Sequence, residues 1–201
     1  MNYQLKLDDI IKRQGGVKKR LLLHACCAPC SSYVLEYLTA YFDTGLYFYN
    51  PNIQPAAEYE KRLGAIHRLL DSMPSANGVR LIETGRREDD FVKAAAGLEA
   101  EPEGAKRCEA CIRLRLGETA KLAAETGYDY FCSTLSISPH KNAVMLNTLG
   151  EAAGKEYGAA WLPNDFKKRG GYLRSIELCA RYGIYRQSYC GCVFSAGIKS
   201  E

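Results

Sequence analysis

Seven of the nine cysteines in this 201-residue chain fall in three short segments whose spacing suits metal ligation or thiol redox chemistry. The first is Cys26-Cys27-Ala28-Pro29-Cys30. Adjacent side chains of a regular strand point to opposite faces, so Cys26 and Cys27 can serve one metal centre only where the strand has broken into a turn. Pro29 makes that break plausible, and Cys30 then lies in a first helical turn, where the helix dipole favours a thiolate. The second segment is Cys108-Glu109-Ala110-Cys111. A three-residue separation at a helix start sets both sulfurs on one face, a spacing shared by zinc, iron–sulfur and thioredoxin-like sites. Together with Cys26 and Cys27 it supplies four thiolates, enough for a tetrahedral zinc or a cubane cluster. In the third segment, Cys190-Gly191-Cys192, the glycine allows the sharp turn needed to bring two sulfurs together. A bridge over so small a ring would be strained and easily reduced, so this is a redox pair or two ligands of a second metal. Cys132 and Cys179 have no such neighbours and read as small core residues.

The elements that must position these thiols alternate strand and helix. Leu21–Ala25 reads as a buried strand running into Cys26, and Cys30–Tyr41 as a helix. Gly45–Tyr49 is strand-like and stops at the turn signal Asn50-Pro51-Asn52. Ala56–Leu70 is helical, Val79–Thr84 a strand, Glu88–Ala96 a short helix and Arg107–Thr126 a long one. A strand over Tyr128–Ser133 follows, then a helix over Asn142–Tyr157, a strand over Ala160–Leu162 and a helix over Gly171–Tyr182. Strands separated by helices imply a three-layer, Rossmann-like α/β arrangement with a mainly parallel sheet. One domain is expected over residues 1–201, with residues 1–18 an N-terminal extension and 183–201 a cysteine-bearing loop over the site. Ligands of such sheets sit beyond the carboxyl ends of the strands, which would put Cys26-Cys27 and Ser133-Thr134-Leu135 on one rim.

Composition narrows the class further. With 47% apolar and 25% charged residues the chain suits a globular protein with a real core, and the cysteines are too sparse for a disulfide scaffold. No apolar run approaches the roughly 18 residues of a membrane span, so no membrane partner is expected. Leu21-Leu22-Leu23, behind Lys18-Lys19-Arg20, is too short for a signal peptide, which predicts a cytoplasmic location with reduced cysteines. The net charge of +4 is uneven: residues 1–20 and 151–201 are basic and the middle mildly acidic, which suits a polyanion contact made by the ends. Lys167, Lys168 and Arg169 ahead of a glycine hinge, and Arg186 among tyrosines, suit phosphate contact and base stacking. His24 reads as a hydrogen-bonded core residue. Gly150–Lys155 imitates part of a phosphate-binding loop but lacks its spacing and closing hydroxyl.

Six segments in one order resemble the cobalamin-independent epoxyqueuosine reductases of the QueH type. They are Leu22–Cys30, Tyr49–Ile53, Arg107–Cys111, Ser133–Pro139, Asp165–Lys168 and Tyr185–Cys192. The resemblance implies a 4Fe–4S cluster on Cys26, Cys27, Cys108 and Cys111. It implies a redox role for Cys190 and Cys192, as a disulfide pair or beside an additional mononuclear iron. That family carries Asp or Cys at the place of Cys30, which makes Cys30 a possible ligand of the second iron. The implied substrate is epoxyqueuosine at wobble position 34 of the tyrosine, histidine, aspartate and asparagine tRNAs, reduced to queuosine with loss of water by electrons from an unidentified donor. Lys167, Lys168, Arg169 and Arg186 would meet RNA phosphates. The alternatives are a zinc-stabilised RNA-binding module, which needs no redox pair, and a tRNA sulfur-transfer enzyme, which needs a pyrophosphate loop that the sequence does not show.

Overall fold

Leu21, Leu22 and Leu23 are each fully buried at the centre of β1 (Lys19–His24), the middle strand of the sheet. Burial on both faces explains the continuous apolar run, and each leucine contributes about 1.5–3 kcal/mol relative to exposure. The computed structural model describes residues 2–195. The end of the expected C-terminal loop, residues 196–201, lies outside the described residues.

The other strands are β2 (Phe42–Phe48), β3 (Arg80–Glu83), β4 (Tyr130–Ser133) and β5 (Ala160–Trp161). All pairings are parallel, in the order β3-β2-β1-β4-β5. The expected parallel α/β sheet is therefore observed. The chain winds outward from β1 through β2 to β3, then returns to the opposite side of β1 for β4 and β5. The strand order reverses between β1 and β4, and a crevice opens beyond the carboxyl ends of strands at such a switch point. Pairing of His24 with Ser133 brings the two strand ends to one rim, as the sequence suggests.

The helices are α1 (Tyr3–Arg13), α2 (Ala28–Leu38), α3 (Ala56–Ser72), α4 (Glu88–Ala95), α5 (Lys106–Glu125), α6 (Ala143–Tyr157) and α7 (Gly171–Tyr182). Helix α2 packs against α3 and α7 on one face of the sheet, and α5 packs against α4 and α6 on the other. Most lie within two residues of their expected bounds. The exception is α1, which sequence patterning leaves unassigned because its buried stripe is narrow: Tyr3, Gln4 and Leu7. Its start is fixed by Asn2, whose side chain accepts from the backbone of Gln4 and Leu5.

The glycines that imitate a phosphate-binding loop have a packing role instead. A side chain at Gly150 would overlap the Trp161 ring, so α6 approaches β5 closely only because this position is bare. The Asn147 amide locks that contact. Its nitrogen donates to the carbonyls of Ala143 at 2.7 Å and Asn164 at 2.9 Å, and its oxygen accepts from the Trp161 indole and the Asn164 backbone, each at 3.0 Å. Asn164 in turn meets Ser136 just beyond β4, so this network also sets one wall of the crevice. Asn147→Ala leaves two buried donors unpaired and should cost about 2–4 kcal/mol. Urea unfolding of the variant should show a lower midpoint at unchanged slope.

Candidate active site

The backbone leaves the sheet immediately after His24. Ala25 N–H still donates to the Tyr47 carbonyl at 2.8 Å, but Cys26 N–H turns to the Thr134 hydroxyl at 3.1 Å. Cys27 stays extended as the residue before α2, and Pro29 sits in the first turn, where its missing donor costs nothing. This break lets adjacent cysteines face the same way. The sulfurs of Cys26 and Cys27 are 3.8 Å apart, and with Cys30 the three lie within 4.8 Å of one another.

Electrostatics divides the three. Hydrogen bonds from the Cys27 and Cys30 thiols, with a smaller one from the Thr134 hydroxyl at 3.2 Å, hold the Cys26 thiol well below its ordinary range. Sharing that charge pushes Cys30 and Cys27 upward. Three sulfurs this close, one of them favoured as thiolate, are an arrangement that a thiophilic cation would complete. His24 is fully buried and its pKa is lowered to about 4 by burial, then by the charge of Arg115. Its Nε2 lies 3.0 Å from the Tyr49 carbonyl, which can only accept, so the proton sits on Nε2 and Nδ1 accepts from the Ser133 hydroxyl at 2.9 Å. His24 is thus a neutral strut between strands, the core role expected for it.

The second pair begins α5. Cys108 accepts from Gly104 N–H at 3.1 Å, and Cys111 is buried beside Phe91, Ala95 and Cys192, with burial raising its pKa to about 11. Arg107 ties the preceding loop to α5 through the carbonyls of Leu98, Glu99 and Glu101. One turn beyond Cys111 lies Arg115, only 3% exposed. Its Nε donates to the Cys111 carbonyl at 3.3 Å, and no carboxylate among the described residues pairs with it. Burial opposes its charge, and the thiols of Cys111, Cys190 and Cys26 favour it.

Two adjoining cavities collect these groups. The larger, about 240 Å³, has Cys26, Cys27, Cys30 and Cys190 in its wall. The smaller has Cys108, Cys111, Cys190 and Cys192. Asn52, Arg115, Lys141 and Cys190 belong to both and form the partition between them. All nine cysteines are unbridged, and the two outside the cavities, Cys132 and Cys179, are buried in the core as expected.

The four basic residues assigned to RNA separate into two kinds. Lys168 and Arg186 are exposed, and Arg186 lines the larger cavity. Lys167 turns inward, donating to the carbonyls of Ser136 at 2.9 Å and Lys141 at 3.2 Å and pairing with Asp165 at 3.0 Å. Arg169 grips the Asp8 carboxylate of α1 at 2.6 and 3.3 Å. Sequence reasoning missed Arg62, Arg115 and Lys141. Arg115 had a legible signal, since it follows Cys111 by four residues and Cys108 by seven on one helix face.

The family model described as "Epoxyqueuosine reductase QueH" matches residues 21–197. The chain belongs to the QueH epoxyqueuosine reductase family. Relatives of that name include one from Streptococcus pyogenes serotype M1, 44% identical over 98% of this chain and 78% of the relative. Another, from Staphylococcus epidermidis, is 46% identical over 98% of this chain and 85% of its own length. A third, from Thermotoga maritima, is 40% identical over 87% and 89% respectively. The matched span of this QueH-family chain includes both cavities and every cysteine. Thr134→Val removes the hydroxyl that serves both the backbone and the sulfur of Cys26. It should weaken binding of cadmium by the metal-free protein about 10-fold or more in chelator competition, whereas Cys132→Ala should not.

Proposed function

We propose that this chain reduces the epoxide of epoxyqueuosine at the wobble position of tRNA to the alkene of queuosine, the last step of queuosine biosynthesis. The observation that carries the reading is the convergence of seven thiols on two adjoining cavities that share Cys190 and the buried Arg115. Converting an epoxide to an alkene and water consumes two electrons and two protons.

Cys26, Cys27, Cys108 and Cys111 would hold a 4Fe–4S cluster. The donor set suits it: thiolates select iron–sulfur centres or zinc, and Arg115 and Lys141 offset the negative charge that thiolate ligation brings. Such a cluster, when bound, supplies electrons singly. Cys190 and Cys192 act beside it in one of two ways. As a dithiol they release two electrons and two protons on forming a disulfide, which balances the reduction, and an external electron donor then restores them. As ligands they hold an additional iron together with Cys30. The chain's other residues bind and orient. Lys168 and Arg186 offer phosphate contacts, Tyr172 and Tyr189 present rings in the cavity wall, and Lys167 and Arg169 brace the loop between them. The substrates are the anticodon loops of the tyrosine, histidine, aspartate and asparagine tRNAs, and the reaction belongs to the cytoplasm.

Iron and acid-labile sulfide analysis of anaerobically purified protein tests the reading. A brown protein with several irons per chain, converting epoxyqueuosine-tRNA to queuosine-tRNA, is the expected result. A colourless, zinc-loaded and fully active protein would overturn it. Cys190→Ser should keep the cluster absorbance and lose turnover; loss of non-cluster iron in that variant alone assigns Cys190 as a ligand, and unchanged iron assigns it to the dithiol.

A further inference from the structure

The loop carrying Cys190 and Cys192 contains no helix or strand, yet Cys190 stands where the two cavities meet. Its placement depends on a residue far away in sequence. Arg62, in the middle of α3, is 2% exposed and is among the largest buried side chains of the molecule. All three of its nitrogens are engaged. Nε pairs with the Glu58 carboxylate at 2.7 Å, Nη1 donates to the Cys190 carbonyl at 3.0 Å, and Nη2 donates to the Tyr189 carbonyl at 3.1 Å. The planar fork of a guanidinium grips two successive carbonyls in a way that a lysine ammonium cannot copy.

The surroundings reinforce this grip. Glu58 also accepts from the Tyr185 hydroxyl at 3.2 Å, and Lys61 lies over the Tyr185 ring at 3.7 Å. Gln54 contributes both of its backbone groups: its N–H donates to the Gly191 carbonyl at 2.8 Å, and its carbonyl accepts from the Tyr189 hydroxyl at 3.0 Å. Gly191 has φ +119°, a conformation that only glycine adopts readily. A side chain there would press on Arg62 Nη1 at 3.0 Å and on Ile53 at 3.1 Å, so glycine is also what lets the loop come this close.

We propose that Arg62 is a positioning residue for the reduction: it fixes the main chain at Cys190, and so holds that sulfur at the partition between the cavities. The inference rests on the role given to Cys190 above. Arg62 acts on rate through Cys190 and leaves RNA affinity to other residues.

Arg62→Met replaces the fork with an apolar chain of similar length, and Gly191→Ala disturbs the same contact from the loop's side without removing a buried charge. Arg68→Met, which loses only an exposed bond to the Tyr182 carbonyl, is the control. Two readouts are taken: steady-state kinetics on epoxyqueuosine-tRNA, and alkylation of Cys190 by iodoacetamide in metal-free protein, followed by mass spectrometry. Both test variants should lose on the order of 10²-fold in kcat with KM for tRNA little changed, since a displacement of about 1 Å has that effect on a reacting group. Both should also alkylate at Cys190 several-fold faster, while the control matches the parent in both readouts. A rise in KM with parental kcat and parental alkylation would make Arg62 an RNA-binding residue and overturn the proposal. So would parental behaviour of folded Gly191→Ala, which keeps the comparison decisive if Arg62→Met fails to fold. If the parent protein shows no turnover, the functional reading fails, while the alkylation comparison still decides whether Arg62 holds the loop.

Discussion

A guanidinium that is 97% removed from solvent and has no carboxylate beside it among the described residues needs its counter-charge from somewhere else, and the groups that favour the charge of Arg115 are the thiols of Cys111, Cys190 and Cys26. An uncompensated buried charge costs several kcal/mol, so thiolates formed around Arg115 on metal binding would stabilise the cation and be stabilised by it. Lys141 repeats the pattern more weakly: burial opposes its charge, the thiols of Cys190 and Cys108 favour it, and its only carboxylate among the described residues is Glu103 at 3.8 Å. The partition between the two cavities is therefore positive, and the walls that face it carry the sulfurs. Much of the surrounding architecture serves to bring those walls together.

The sheet does this through its order. Because β1 and β4 are neighbours while the chain winds away from them on opposite sides, their carboxyl ends leave a gap. The turn at Cys26-Cys27 enters that gap from β1, with Thr134 meeting it from the end of β4. Helix α5 supplies the opposite wall, its first turns carrying Cys108, Cys111 and Arg115 along one face. The Asn147 network fastens α6, β5 and the segment after β4, and so holds the rim in shape.

Most of this could be read from the residues in order. Ligand spacing within a turn is a local property, so the closeness of Cys26, Cys27 and Cys30 and the core burial of Cys132 and Cys179 were legible, whereas the placing of Cys108 and Cys111 in a second cavity was not. The strand break after His24 was equally local, marked by Pro29. What the sequence did not reveal were interactions whose partners lie far apart. Arg62 binds carbonyls more than a hundred residues away, and nothing near it in sequence distinguishes it from a surface arginine of a helix. Lys167 and Arg169 look like free cations in a basic loop, yet one is spent on backbone carbonyls and the other on Asp8. Helix α1 escaped notice for a related reason: three buried residues make too narrow a stripe for periodicity to register.

The two sides of the larger cavity are built from materials of different strength. Its back belongs to strand ends and a helix start, where Cys26 N–H is held by the Thr134 hydroxyl and β1 and β4 pair just behind it. Its front, from Arg186 to Gly191, is loop held by a few side-chain bonds and one backbone bond, from Gln54 to Gly191. Such a segment depends on few contacts, so the loss of one displaces it more than the loss of one displaces the back. The sulfurs of the larger cavity are thus split between a part fixed by strand ends and a part fixed by side chains, so one substitution can shift Cys190 and leave Cys26, Cys27 and Cys30 in place.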